Sequence, residues 1–66
     1  MKITCNGEER QLEEGATVES LILELGLEPD FVVAECDGVI VQRDAYSSTA
    51  LKQGSVLELI RFVGGG

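Results

Sequence analysis

The residues best placed to do chemistry stand at the end of the chain. An apolar run, Leu57 to Val63, passes directly into Gly64-Gly65-Gly66. Glycine has no Cβ, so such a tail adopts extended or positive-φ conformations and fits a narrow channel. The group it would present is the α-carboxylate of Gly66, ionised at neutral pH with a pKa of about 3.5. A carboxylate is a usable nucleophile toward the α-phosphate of ATP. The acyl adenylate that results is a mixed anhydride, open to a sulfur nucleophile, and its product would be a thiocarboxylate at Gly66. Bulkier neighbours would jam a cleft built for this tail, so Gly64 and Gly65 are expected to serve threading. Three glycines alone also describe a frayed terminus. Their meaning depends on the fold that carries them.

Other catalytic constellations are missing from the sequence. There is no histidine to act as a base near neutral pH. No glycine loop with a following lysine is present to cradle phosphate, because the glycine run opens no helix. Glu8-Glu9 and Glu13-Glu14 fall in turns, where solubility explains them better than acid–base work. Two cysteines, Cys5 and Cys36, cannot supply a four-ligand zinc site or hold an iron–sulfur cluster. No bound cofactor is expected; ATP would be used by an activating partner. A disulfide remains possible on paper, but buried reduced thiols are the expectation for a chain without a secretion signal. That reading places the protein in the cytoplasm.

At 66 residues the chain is one domain. A domain of this size buries only about 60% of its unfolded surface, too little for a deep enclosed active site. The expectation is a co-substrate of other enzymes, not an enzyme. Twelve acidic residues against five basic give a net charge of −7. Such a surface repels phosphate backbones and anionic membranes, so neither nucleic acid nor membrane is an expected partner. It suits a partner with a basic face, and equally it keeps a small domain in solution.

The elements that must position the tail follow from periodicity. Met1 to Cys5 reads as a strand with Met1, Ile3 and Cys5 on one face. Asn6-Gly7 is a tight hairpin signal, and Glu8 to Leu12 returns with Leu12 as its apolar anchor. Thr17 is a good N-cap, Glu19 suits the first helical turn, and Val18, Leu21, Ile22 and Leu25 form one apolar stripe. Gly26 and Pro29 end that helix. Phe31 to Cys36 reads as a strand, Asp37-Gly38 as a second tight turn, and Val39 to Val41 as a short strand. Asp44 is expected to cap a single turn through Ala45 and Tyr46, and Leu51 to reach the core. Gln53-Gly54-Ser55 precedes the last strand, Val56 to Val63.

This order is the outline of an α+β, ubiquitin-like β-grasp fold. It predicts a mixed sheet of about five strands with one helix on one face, and first and last strands side by side. Residues 1–63 would form the domain and 64–66 a flexible tail. The last strand is apolar in both phases, although a sheet covered on one face should alternate. Leu57 and Leu59 are assigned to the helix face. Ile60 and Phe62 then lie on the open face, and with Val63 they are the candidate partner-binding residues. The plainer alternative is that Phe62 covers local strand edges.

With these elements in place, the chain resembles the ThiS family of thiamine-biosynthesis sulfur carriers over its whole length. The resemblance rests on Asn6-Gly7, Gly15-Ala16-Thr17-Val18, Val39-Ile40-Val41-Gln42-Arg43 and Gly54-Ser55-Val56-Leu57-Glu58-Leu59-Ile60. The ending Phe62-Val63-Gly64-Gly65-Gly66 is its most specific part. Gln42 stands where many members carry proline. The resemblance implies that a ThiF-like, E1-type enzyme adenylates Gly66, and that a donor such as a cysteine desulfurase supplies the sulfur. Thiazole synthase, ThiG, would then receive it. Carriers for molybdopterin synthesis or tRNA thiolation share the same ending, and a β-grasp interaction module without terminal chemistry shares the fold.

Overall fold

The computed structural model describes residues 1–62. Strand β1, Lys2–Cys5, turns through Asn6 and Gly7, both at positive φ (51° and 82°), into β2, Glu8–Gln11. Helix α1 spans Val18–Glu24, β3 Val32–Cys36, β4 Val39–Val41 and β5 Val56–Arg61. The sheet order is β2-β1-β5-β3-β4, with β1 and β5 parallel and the other neighbours antiparallel. This is the expected β-grasp arrangement, with the strand that leads to the chain end in the middle of the sheet.

A seven-residue helix is too short to persist alone, so packing and caps must hold it. Val18, Leu21 and Ile22 are fully buried against Ile3, Ala34, Leu57 and Leu59. Each such side chain contributes about 1.5–3 kcal/mol by leaving water. At the N-terminus, Thr17 and Ser20 exchange side-chain bonds in a capping box: Ser20 N–H donates to Thr17 Oγ1 at 3.1 Å and Thr17 N–H to Ser20 Oγ at 2.8 Å. At the other end Gly26, at φ 77°, lets its own N–H reach Leu23 O and that of Leu27 reach Ile22 O, a Schellman closure.

Two local expectations are corrected. Phe31 does not begin β3. Pro29 starts a 3₁₀ turn, Pro29–Phe31, and the strand begins at Val32. Asp44 does not cap the second 3₁₀ turn, which spans Arg43–Ala45 with Gln42 at its N-cap and no side-chain cap bond. Gln42 itself sits at φ −67°, the angle proline enforces, so the position keeps its geometry without that residue. The two flanking strand ends also shift slightly: Leu12 is buried just beyond β2, and β5 ends at Arg61. Val63, expected within the last strand, lies outside the described residues.

Tyr46 ties the layers together. Its carbonyl accepts from Glu19 N–H at the start of α1. Its buried hydroxyl donates to Val32 O at 2.6 Å and accepts from Ala34 N–H at 3.2 Å. Tyr46→Phe would remove both of these bonds, and with them the hydroxyl partner of Val32 O. The expected cost is about 1.5 kcal/mol, a fall in Tm of roughly 6–12 °C. A thermal melt checks it; an unchanged Tm would mean the hydroxyl contributes nothing net.

Candidate functional site

The site is built around the end of β5. Alternation along this strand sends Leu57 and Leu59 into the core, at 0% and 7% exposure. Ile60 and Phe62 take the opposite phase and are 60% and 45% exposed. Both expected phases are therefore observed. Register supplies neighbours that spacing could not. Ile60 stands opposite Val33, and Ile40 opposite Glu35, so all four share the open face. Phe62 meets Phe31 edge to face, with centroids 6.1 Å apart and planes at 73°. Phe31, Val33 and Ile40 were not among the expected contact residues. Their exposure is the signal, and it appears only once the strands are paired.

A shallow cavity of about 210 Å³ opens at this rim, lined in part by Val33, Ile40, Phe62 and Arg43. Arg43 Nη1 lies 3.2 Å from Asp30 Oδ1 in an exposed ion pair beside it. Toward the sheet centre, Glu58 faces Glu35 directly. The open face thus carries an apolar end nearest the tail and an acidic middle. Val63, Gly64, Gly65 and Gly66, the remaining expected site residues, lie outside the described residues.

The cysteines stay apart from this site. In register, Leu57 of β5 stands between Cys5 of β1 and Cys36 of β3. Two strand spacings of about 4.8 Å exceed the Cα separation a disulfide spans. Both thiols are free. Burial pushes each thiol pKa above its ordinary value, and the Asp37 carboxylate raises that of Cys36 further. Thiolate is therefore scarce at neutral pH. Should Gly66 accept sulfur, as the glycine ending leads one to expect, a folded Cys5→Ala, Cys36→Ser chain is expected to load it as the unsubstituted chain does. Loss of loading, read by mass spectrometry on protein whose circular dichroism is intact, would assign a thiol to the transfer. Among the described residues no group of acidic and cysteine side chains is arranged to hold a metal. No described helix is long and apolar enough to cross a membrane.

Comparison with known proteins extends these features. The chain matches two proteins named thiazole synthase over all 66 of its residues. That of Magnetococcus marinus is 38% identical and that of Paramagnetospirillum magneticum 41%. The chain spans only about a fifth (20%) of the length of each. The crystal structure of the thiamine biosynthesis protein ThiS from Geobacter metallireducens superposes with a TM-score of 0.83 at 30% identity, covering both chains completely. A solution structure of a thiamine biosynthesis protein from the same organism gives 0.79 at 30% identity, covering all of this chain and 88% of that one. The sequence model of the ThiS family matches residues 2–66, the glycine ending included, and the chain belongs to the ThiS family.

Proposed function

We propose that this protein is a sulfur carrier of thiamine biosynthesis whose reactive group is the carboxylate of Gly66. The observation that carries the reading is the family match running through the final Gly64-Gly65-Gly66 on a β-grasp body. An E1-type, ThiF-like enzyme binds the open face and draws in the tail. One carboxylate oxygen of Gly66 attacks the α-phosphate of ATP, and pyrophosphate leaves. A sulfur nucleophile, supplied by a donor such as a cysteine desulfurase, then attacks the acyl carbon and AMP leaves. With a persulfide as that nucleophile the product is an acyl disulfide; a second thiol on the donor side then attacks its S–S bond, leaving the thiocarboxylate on Gly66 and a disulfide on the donor. The protein is the co-substrate throughout; the catalytic groups and ATP belong to its partner. ATP-dependent activation places the reaction in the cytoplasm.

The acceptor is a thiazole synthase of the ThiG type. Two relatives named thiazole synthase contain a segment like this one, which supports a partnership close enough to be built into one chain. Covalent linkage replaces encounter by a high effective concentration, a gain only for domains that work together.

The test is intact-mass analysis of the protein incubated with ATP, the adenylating enzyme and a sulfur donor. The expected product is heavier by the difference between sulfur and oxygen, with the increment on the C-terminal peptide. An unmodified C-terminal peptide under turnover conditions would refute the reading.

A further inference from the structure

We propose that the adenylating enzyme lays an extended segment of its own backbone against β5 at Arg61, beside the root of the tail. The proposal rests on the reading of Gly66 as the reacting end.

Peptide groups along a strand point alternately to its two sides. On the β3 side of β5, Asp37 N–H donates to Val56 O at 2.7 Å and Phe62 N–H to Phe31 O at 2.9 Å. The odd-numbered residues point to the β1 side, where Asn6 N–H donates to Leu57 O at 2.9 Å. There β1 ends and the chain turns away. The Asn6 side chain then takes the place of one more strand residue. Leu59 N–H donates to Asn6 Oδ1 at 2.8 Å, and Asn6 Nδ2 donates to Leu59 O at 3.2 Å. Arg61 is next on that side. It is exposed, and its backbone N–H and C=O have no partner among the described residues. The edge is therefore plugged by a carboxamide for one residue and open for the next.

Reach says what meets this edge. Between Phe62 and the reacting carboxylate lie the four residues 63–66. Fully extended, they span at most about 14 Å. An enzyme that binds ATP at the end of so short a tether must bring its own chain close to the end of β5. A partner strand at the usual spacing of about 4.8 Å satisfies both open groups of Arg61 and fixes the direction in which the tail leaves. The complement is a free strand edge beside the enzyme's nucleotide site.

The test uses the whole chain made by chemical synthesis, unmodified and with N-methyl at Arg61, alongside Arg61→Ala. The methyl group removes the donor and blocks the edge; alanine removes only the side chain. Pyrophosphate release by the adenylating enzyme is followed against carrier concentration. We expect N-methylation to raise KM about tenfold with kcat within about twofold, the loss of one net backbone bond. Tm should not change, because no described group uses that N–H. An unchanged KM overturns the proposal. So does a KM effect reproduced in full by Arg61→Ala, which would assign it to the guanidinium. A lowered Tm overturns it by showing that the fold uses the edge. A concentration-dependent dimer lost on methylation overturns it in favour of a second copy. If the unmodified chain releases no pyrophosphate, the reading of Gly66 has failed instead.

Discussion

A Gly65→Val chain is expected to fold as the wild type does and to be adenylated about a hundredfold more slowly, the scale on which small misplacements at a reacting centre act. The body does not depend on this position. The buried core is complete by Leu59, and the last described backbone bond is Phe62 N–H to Phe31 O. Valine at 65 adds a branched side chain next to the reacting carboxylate. It narrows the backbone angles available there and stiffens χ1. In the proposed reaction a cleft fitted to glycine leaves no room for two methyl groups, and the carboxylate would stop short of the α-phosphate. ATP–pyrophosphate exchange measures the loss, and circular dichroism with a thermal melt checks the fold. Exchange at the normal rate would show that the partner does not thread the tail through a tight channel.

Local chemistry explains why most of the fold was legible in the residues. Asn6-Gly7 and Asp37-Gly38 both adopt the positive-φ pairs that tight hairpins demand. Thr17 caps α1 and Gly26 closes it, each by bonds within a few residues. Phe31 and Asp44 misled because propensity is weaker than backbone constraint. Pro29 set a turn that absorbed an aromatic suited to a strand, and Asp44 lies within a turn whose N-cap is Gln42. The double apolar phase of β5 correctly separated Ile60 and Phe62 from the core. What surrounds them was not legible. Val33 and Ile40 reach that face through register, and Asn6 reaches Leu59 across 53 positions of sequence. No local pattern encodes such pairings, because they exist only when distant strands meet. The same applies to Tyr46, which reads as the end of a single helical turn and functions as the clamp on β3.

Phe62→Ala is expected to weaken binding to each partner by about 2 kcal/mol, roughly thirtyfold, the scale of an interfacial aromatic anchor. Phe62 is 45% exposed and touches Phe31, itself 39% exposed, through a single edge-to-face contact. Beyond the area the ring buries, that pair contributes about 0.5–1.5 kcal/mol in the free protein, a fall in Tm of roughly 2–12 °C. Binding is the larger effect, because a partner covers the exposed part of the ring and the rim cavity beside it. The same ring stands at the root of the tail, so in the proposed function the adenylating enzyme and the thiazole synthase would both have to approach it. They are therefore expected to compete. Titration calorimetry with each partner, and with one partner in the presence of saturating amounts of the other, measures affinity and exclusion together. Unchanged affinity with a large fall in Tm would make Phe62 a structural residue of the β5–Phe31 edge. Weakened binding of both partners without mutual exclusion would place them on separate parts of the face. Loss of both affinities with exclusion means that the carrier must leave one enzyme before the other can take its sulfur.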